Sequence, residues 1–151
     1  MAYRNNDAGT GLSGSGGKAV ILTEKPSVAK NIGDALGIRG SQKNGYMEGD
    51  EYIITWCVGH LVELAQPSAY GAQYEKWTYE SLPIIPADWQ YVVKESTKKQ
   101  FEIVKRLLLL DPDFPCILAT DPGREGEAIG RLVYEQAGCR RPMLPLWVSS
   151  M

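Results

Sequence analysis

Two acidic segments about a hundred positions apart carry the residues best suited to chemistry. One is Thr23-Glu24-Lys25-Pro26-Ser27. The other is Thr120-Asp121-Pro122-Gly123-Arg124-Glu125-Gly126-Glu127. Each follows a short apolar run, Ala19-Val20-Ile21-Leu22 or Cys116-Ile117-Leu118-Ala119, that reads as a buried strand. In open α/β sheets, function gathers just beyond the carboxyl ends of such strands. Two strands that deliver carboxylates there can build one divalent-metal site. Side chains alternate along an extended segment, so Asp121, position 123 and Glu125 are expected to face one way. With Glu24 from the first strand they make a hard oxygen set. Mg²⁺ is held by one or two carboxylates, waters and substrate phosphate, and it polarises phosphoryl oxygens or orients leaving groups. Position 123 is glycine, so one oxygen of that set is missing. Lys25 and Arg124 flank the acids and suit a phosphodiester; pairing with Glu24 or Asp121 is their plainer use. The acidic loop also has a plainer reading. Pro122-Gly123 makes a tight turn, and Glu125 and Glu127 complement the dipole at a helix start.

These positions need elements to hold them. The chain has 151 residues, 44% apolar and 23% charged, enough for one domain with a core. No apolar run approaches the ~20 residues that span a bilayer, and no membrane role is expected. The net charge of −2 argues against a stand-alone DNA binder, which would be more basic. It suits part of one, because a carboxylate metal site is itself acidic. The cysteines, Cys57, Cys116 and Cys139, are odd in number and form no CxxC. They suggest neither a disulfide framework nor a zinc site, Cys116 reads as a small hydrophobe, and a reducing cytoplasm is the expected compartment.

Residues 1–17 are Asn-, Gly- and Ser-rich and read as a disordered tail or an added linker. Gly9-Thr10-Gly11-Leu12-Ser13-Gly14 fits GxGxxG, but no strand precedes it, so no nucleotide cofactor is expected. From Lys18 onward a strand over 19–23 leads to a helix that starts at Pro26 and ends at Gly37. Tyr46-Met47-Glu48 and Tyr52-Ile53-Ile54-Thr55-Trp56 flank Gly49-Asp50-Glu51 as a hairpin. Residues 59–89, rich in Pro and aromatics, read as an irregular elaboration. Thr97 opens a helix with Gln100 as capping-box partner, and Phe101, Val104, Leu107 and Leu108 form its buried face. A helix over 125–136 and a last strand over 143–148 follow. Strands alternating with helices predict an α/β fold with a mainly parallel sheet and helices on both faces, plus a hairpin and irregular elaboration in 44–94. His60, the single histidine, reads as a hydrogen-bonded structural residue. Trp56, Trp77, Trp89 and Trp147 read as packing residues rather than base-stacking ones.

The order of these segments resembles type IA DNA topoisomerases of the topoisomerase III branch. Glu24-Lys25-Pro26-Ser27 is similar to the opening of that family. Thr55-Trp56-Cys57-Val58-Gly59-His60-Leu61 follows, then Gln66-Pro67, Tyr70, Trp77, Leu82-Pro83-Ile84-Ile85-Pro86 and Trp89. Asp121-Pro122-Gly123-Arg124-Glu125-Gly126-Glu127-Ala128-Ile129 resembles the family's DPDREGEA segment, with Gly123 at its second aspartate. Leu146-Trp147-Val148-Ser149-Ser150-Met151 resembles the segment leaving the domain, with Pro145 where the family often has a basic residue. The resemblance implies a Toprim domain over 18–151, Rossmann-like in fold. It implies Mg²⁺ beside a scissile phosphate that a tyrosine on another domain attacks. It assigns Glu24 to the metal and the leaving 3′ oxygen, Lys25 to the phosphate, Asp121 and Glu125 to the metal, and Arg124 to a phosphate contact. Single-stranded DNA and the remaining topoisomerase domains are the implied partners. The family's nucleophilic tyrosine has no counterpart here, so the chain is expected to be an N-terminal part of an isomerase, inactive alone. The alternatives are a small metal-dependent Toprim nuclease, or a non-catalytic nucleic-acid-binding module with a degenerate metal site.

Overall fold

A computed structural model describes residues 17–39 and 42–147. The tail expected over 1–17 lies, but for Gly17, outside the described residues, as does the segment from Val148.

Three consecutive branched apolar residues, Val20, Ile21 and Leu22, make Ala19–Thr23 (β1) a strand buried on both faces, the pattern of a central parallel strand. It sits in the middle of a five-stranded sheet. Tyr52–Trp56 (β3) pairs with one side of it and Cys116–Ala119 (β6) with the other, both parallel. Tyr46–Glu48 (β2) closes one edge as the antiparallel hairpin arm of β3, with Met47 opposite Ile54. Met143–Pro145 (β7) closes the other edge parallel to β6. The order is β2-β3-β1-β6-β7.

Alternation along the strands splits the core in two. Val20, Leu22, Ile53, Cys116 and Leu118 face Lys98–Leu108 (α2) and Arg124–Gln136 (α3), through Phe101, Val104, Leu107, Leu108, Ile129 and Val133. Ile21, Ile54, Trp56 and Ala119 face the other way, onto Ala29 of Pro26–Ala35 (α1). Helices therefore cover both faces, and the fold class read from the sequence holds. A second, two-stranded sheet of Val62–Leu64 (β4) and Tyr91–Val93 (β5) was not anticipated. It closes the base of the elaboration over 66–90, which is otherwise short 3₁₀ turns.

Three local expectations change. Thr97 precedes α2, but its side chain does not cap the helix and Gln100 is no capping-box partner. The Gln100 amide donates instead to the carbonyls of Trp56 (2.9 Å) and Gly45 (3.1 Å), tying α2 to the hairpin. Of the four tryptophans only Trp56 is buried. Trp77 (70% exposed), Trp89 and Trp147 face solvent, because the elaboration and β7 have no second layer over them among the described residues.

The third concerns Arg141, which the sequence reading passed over. It is 2% exposed. Its guanidinium donates to the carbonyls of Leu108 (2.8 Å), Lys18 (3.0 Å), Phe114 (3.0 Å) and Leu107 (3.2 Å). One side chain thus fastens the end of α2 to the entrances of β1 and β6. The carbonyl dipoles take the place of a counter-ion, and five fixed N–H donors suit that work better than an ammonium would.

Candidate functional site

The adjacent ends of β1 and β6 set the site. Thr23 lies opposite Ala119 in the parallel ladder, so Glu24 and the Thr120-Asp121 segment leave the sheet side by side. Thr23 is fully buried, and its hydroxyl lies 3.1 Å from the Lys25 carbonyl and 3.4 Å from the Thr55 carbonyl, either of which accepts its hydrogen bond. That contact shapes the turn from which Glu24 and Lys25 emerge. Lys25 is the extended residue before α1, with Pro26 in the helix's first turn and the Lys25 side chain exposed.

Gly126 draws the two segments together. A Cβ placed on it would stand 2.8 Å from the Asp121 carbonyl oxygen, 3.1 Å from the Asp121 nitrogen and 3.2 Å from Glu24 Oε2. One point in space therefore touches both the Glu24 carboxylate and the Asp121 backbone, and it is open only because residue 126 has no side chain. The negative charge of Glu24 is also felt by the thiol of Cys57, just past β3. Burial first, then Glu24 and Cys116, push that thiol up to about 12.

The alternation expected over 121–125 stops at Gly123. That residue is extended (φ −94°, ψ 161°), but α3 begins at Arg124, so a helix and not a strand positions Glu125. Glu125 Oε1 lies 3.3 Å from His60 Nε2. His60 comes from the connection after β3, where Gly59 at φ +76° turns the chain. This contact is what the sequence reading missed. Residues 65 apart meet there, and no local pattern signals them. Glu127 is held by Arg131 at 2.8 Å. Among the described residues, no three His, Cys, Asp or Glu side chains are gathered closely enough to hold an ion outright. The structure thus brings the Glu24 carboxylate to the Asp121 backbone, and sets Glu125 against His60.

The donor chemistry nonetheless fits a hard divalent cation. The Glu24 carboxylate lies against the Asp121 backbone at the ends of adjacent strands, and Mg²⁺ keeps several waters and takes few protein ligands. The starts of two helices are open as well. Neither α1 nor α3 has a side-chain cap at its start. Their first N–H groups are thus free of side-chain partners, at the same end of the sheet as the exposed side chains of Lys25 and Arg124.

Comparison with known proteins identifies the family of the fold. The family model described as Toprim domain matches residues 19–150. DNA topoisomerase 3 of Staphylococcus haemolyticus is 47% identical over 134 residues, which is 89% of this chain and 19% of that protein. DNA topoisomerase 3 of Bacillus subtilis is 46% identical over 134 residues, again 89% of this chain and 18% of the relative. The chain spans about a fifth of the length of the curated relatives it matches.

Proposed function

The chain belongs to the Toprim domain family, and on that premise we propose that it is the Mg²⁺-binding part of a type IA DNA topoisomerase of the topoisomerase III branch. Its parent breaks and reseals one strand of DNA. The observation that supports this reading is the approach of the Glu24 carboxylate to the Asp121 backbone at the ends of β1 and β6, around the side-chain-free Gly126.

Glu24, Asp121 and Glu125 would hold Mg²⁺, which supplies charge neutralisation at the scissile phosphate. Lys25 and Arg124, with the open starts of α1 and α3, bind and orient the phosphodiester of single-stranded DNA. A tyrosine hydroxyl from another domain of the parent forms a bond to phosphorus as the bond from phosphorus to the 3′ oxygen breaks. Glu24 would stand beside that leaving oxygen and pass to it the proton that the tyrosine hydroxyl loses, so the exchange balances and resealing runs it backwards. The remaining topoisomerase domains are the partners that supply the nucleophile. No nucleotide cofactor is needed, because the phosphotyrosyl bond conserves the energy of the broken one. Three free, buried thiols suit a reducing cytoplasm.

Supercoiled plasmid incubated with the isolated chain and Mg²⁺ should be neither relaxed nor nicked, while the parent carrying Glu24→Gln should lose relaxation. Relaxation by the isolated chain would refute the assignment of the nucleophile to another domain. Nicking abolished by Glu24→Gln would make it a nuclease instead.

A further inference from the structure

Metal and phosphate chemistry at Glu24, Asp121 and Lys25 makes no use of His60, yet His60 is tied to the same site. It follows β3, whereas Glu125 follows β6, and β1 runs between those strands. With neighbouring strands about 4.8 Å apart, the two residues come from strands about 10 Å apart. Their contact therefore links the segments that follow the two strands flanking β1, from whose end Glu24 emerges. A carboxylate only accepts, so His60 Nε2–H is the donor to Glu125 Oε1 at 3.3 Å. Among the described residues Glu125 has no other side-chain partner, and its side chain is 81% exposed. Glu127, in the same turn, is already engaged by Arg131. An unheld glutamate at a helix start samples several rotamers and must lose that freedom to hold an ion.

We propose that His60 is a positioning residue for Glu125. Its Nε2–H holds Oε1 over the end of β1 and leaves Oε2 free to join Glu24 and Asp121 at a divalent cation. This rests on the Mg²⁺ reading above and assigns the histidine a place behind a ligand instead of at the metal. Partners of this kind fix the orientation of ligating side chains, and their loss typically costs 10–100-fold in metal affinity. Packing alone is a poor explanation for the residue, since the His60 side chain is 44% exposed.

Calorimetric titration of the chain with Mg²⁺ tests the assignment, with thermal melting in the absence of metal as the check on folding. His60→Ala should weaken Mg²⁺ binding about tenfold with little change in melting temperature. His60→Gln, whose amide can donate at similar reach, should recover most of that loss. In a Glu125→Gln background, His60→Ala should cost nothing further. If His60→Ala binds Mg²⁺ as the unaltered chain does, or if Gln rescues nothing, the positioning role is wrong while the Mg²⁺ site stands. If the unaltered chain binds no Mg²⁺, the metal reading falls and takes this role with it.

Discussion

Replacing Gly126 with alanine should weaken divalent-cation binding far more than it weakens the fold. The new Cβ would lie 2.8 Å from the Asp121 carbonyl oxygen, and ordinary contact begins at 3.4 Å, so the Asp121 backbone must withdraw by about half an ångström. Two of the three nearest atoms are backbone, so no change of rotamer relieves the clash. Overpacking of this kind costs about 1–3 kcal/mol, and exchanging glycine for alanine in a helix returns up to about 1 kcal/mol. The net loss of stability should be about 1 kcal/mol. The effect on the ion should be larger. Mg²⁺ demands near-ideal geometry at about 2.0–2.1 Å, so a ligand segment displaced by about half an ångström should lower affinity about tenfold. Gly130→Ala, one turn further along α3, is the control. Its Cβ would fall 2.2 Å from Leu118 Cδ1, inside the core and away from the acids. Urea unfolding and Mg²⁺ calorimetry on both variants decide the matter. Unchanged Mg²⁺ affinity in Gly126→Ala, or an equal loss in folded Gly130→Ala, would refute the claim that this glycine sets the site.

Arg141→Met should destabilise the domain by at least about 3 kcal/mol in urea unfolding, because four carbonyls, two buried and two partly buried, lose the guanidinium together; a loss below about 1 kcal/mol would mean that water replaces the guanidinium freely. Burial first, together with neighbouring negative charge, raises the thiols of Cys57 and Cys116 to about 12 from an ordinary value near 9. The folded state keeps these protons where the unfolded state releases them, so the stabilisation is complete below pH 9 and is lost as pH rises from 9 toward 12. Unfolding free energy should fall by about 1.4 kcal/mol per pH unit for each thiol in that window, and Cys57→Ala should halve the combined slope. Gly123→Asp should fold at least as well as the unaltered chain, since a Cβ there meets nothing within 4 Å and aspartate is a better residue than glycine before a helix. It should also tighten Mg²⁺ binding by restoring an oxygen; unchanged or weaker affinity would mean that position 123 is not aimed at the ion.

Much of this was legible because the informative signals were local. The short buried run 19–23, the proline at the start of α1, the hairpin around Gly49-Asp50-Glu51 and the apolar stripe of α2 each follow from periodicity and turn chemistry within a dozen residues. The side-by-side exit of the Glu24 and Asp121 segments was legible too, because adjacent parallel strands deliver their following residues to the same end of the sheet. What failed depended on distant partners. Gln100 has the right spacing for a capping box with Thr97, but the carbonyls of Gly45 and Trp56, brought by another element, take its amide. Glu125 has the right spacing for an extended triad, but α3 starts one residue earlier and His60 meets its carboxylate. Arg141 stands out only once the ends of three segments are seen to need one donor group. The exposed Trp77, Trp89 and Trp147 show the same limit from the other side, since aromatic composition alone does not say whether a second layer is present to cover it.

Anomalous diffraction from crystals of the chain grown with Mn²⁺, a stand-in for Mg²⁺, would locate the cation directly. The account expects one dominant peak at the ends of β1 and β6, coordinated by both Glu24 and Asp121 or joined to each through a single water. An ion bound by only one of these two carboxylates, or found away from that junction, would contradict it.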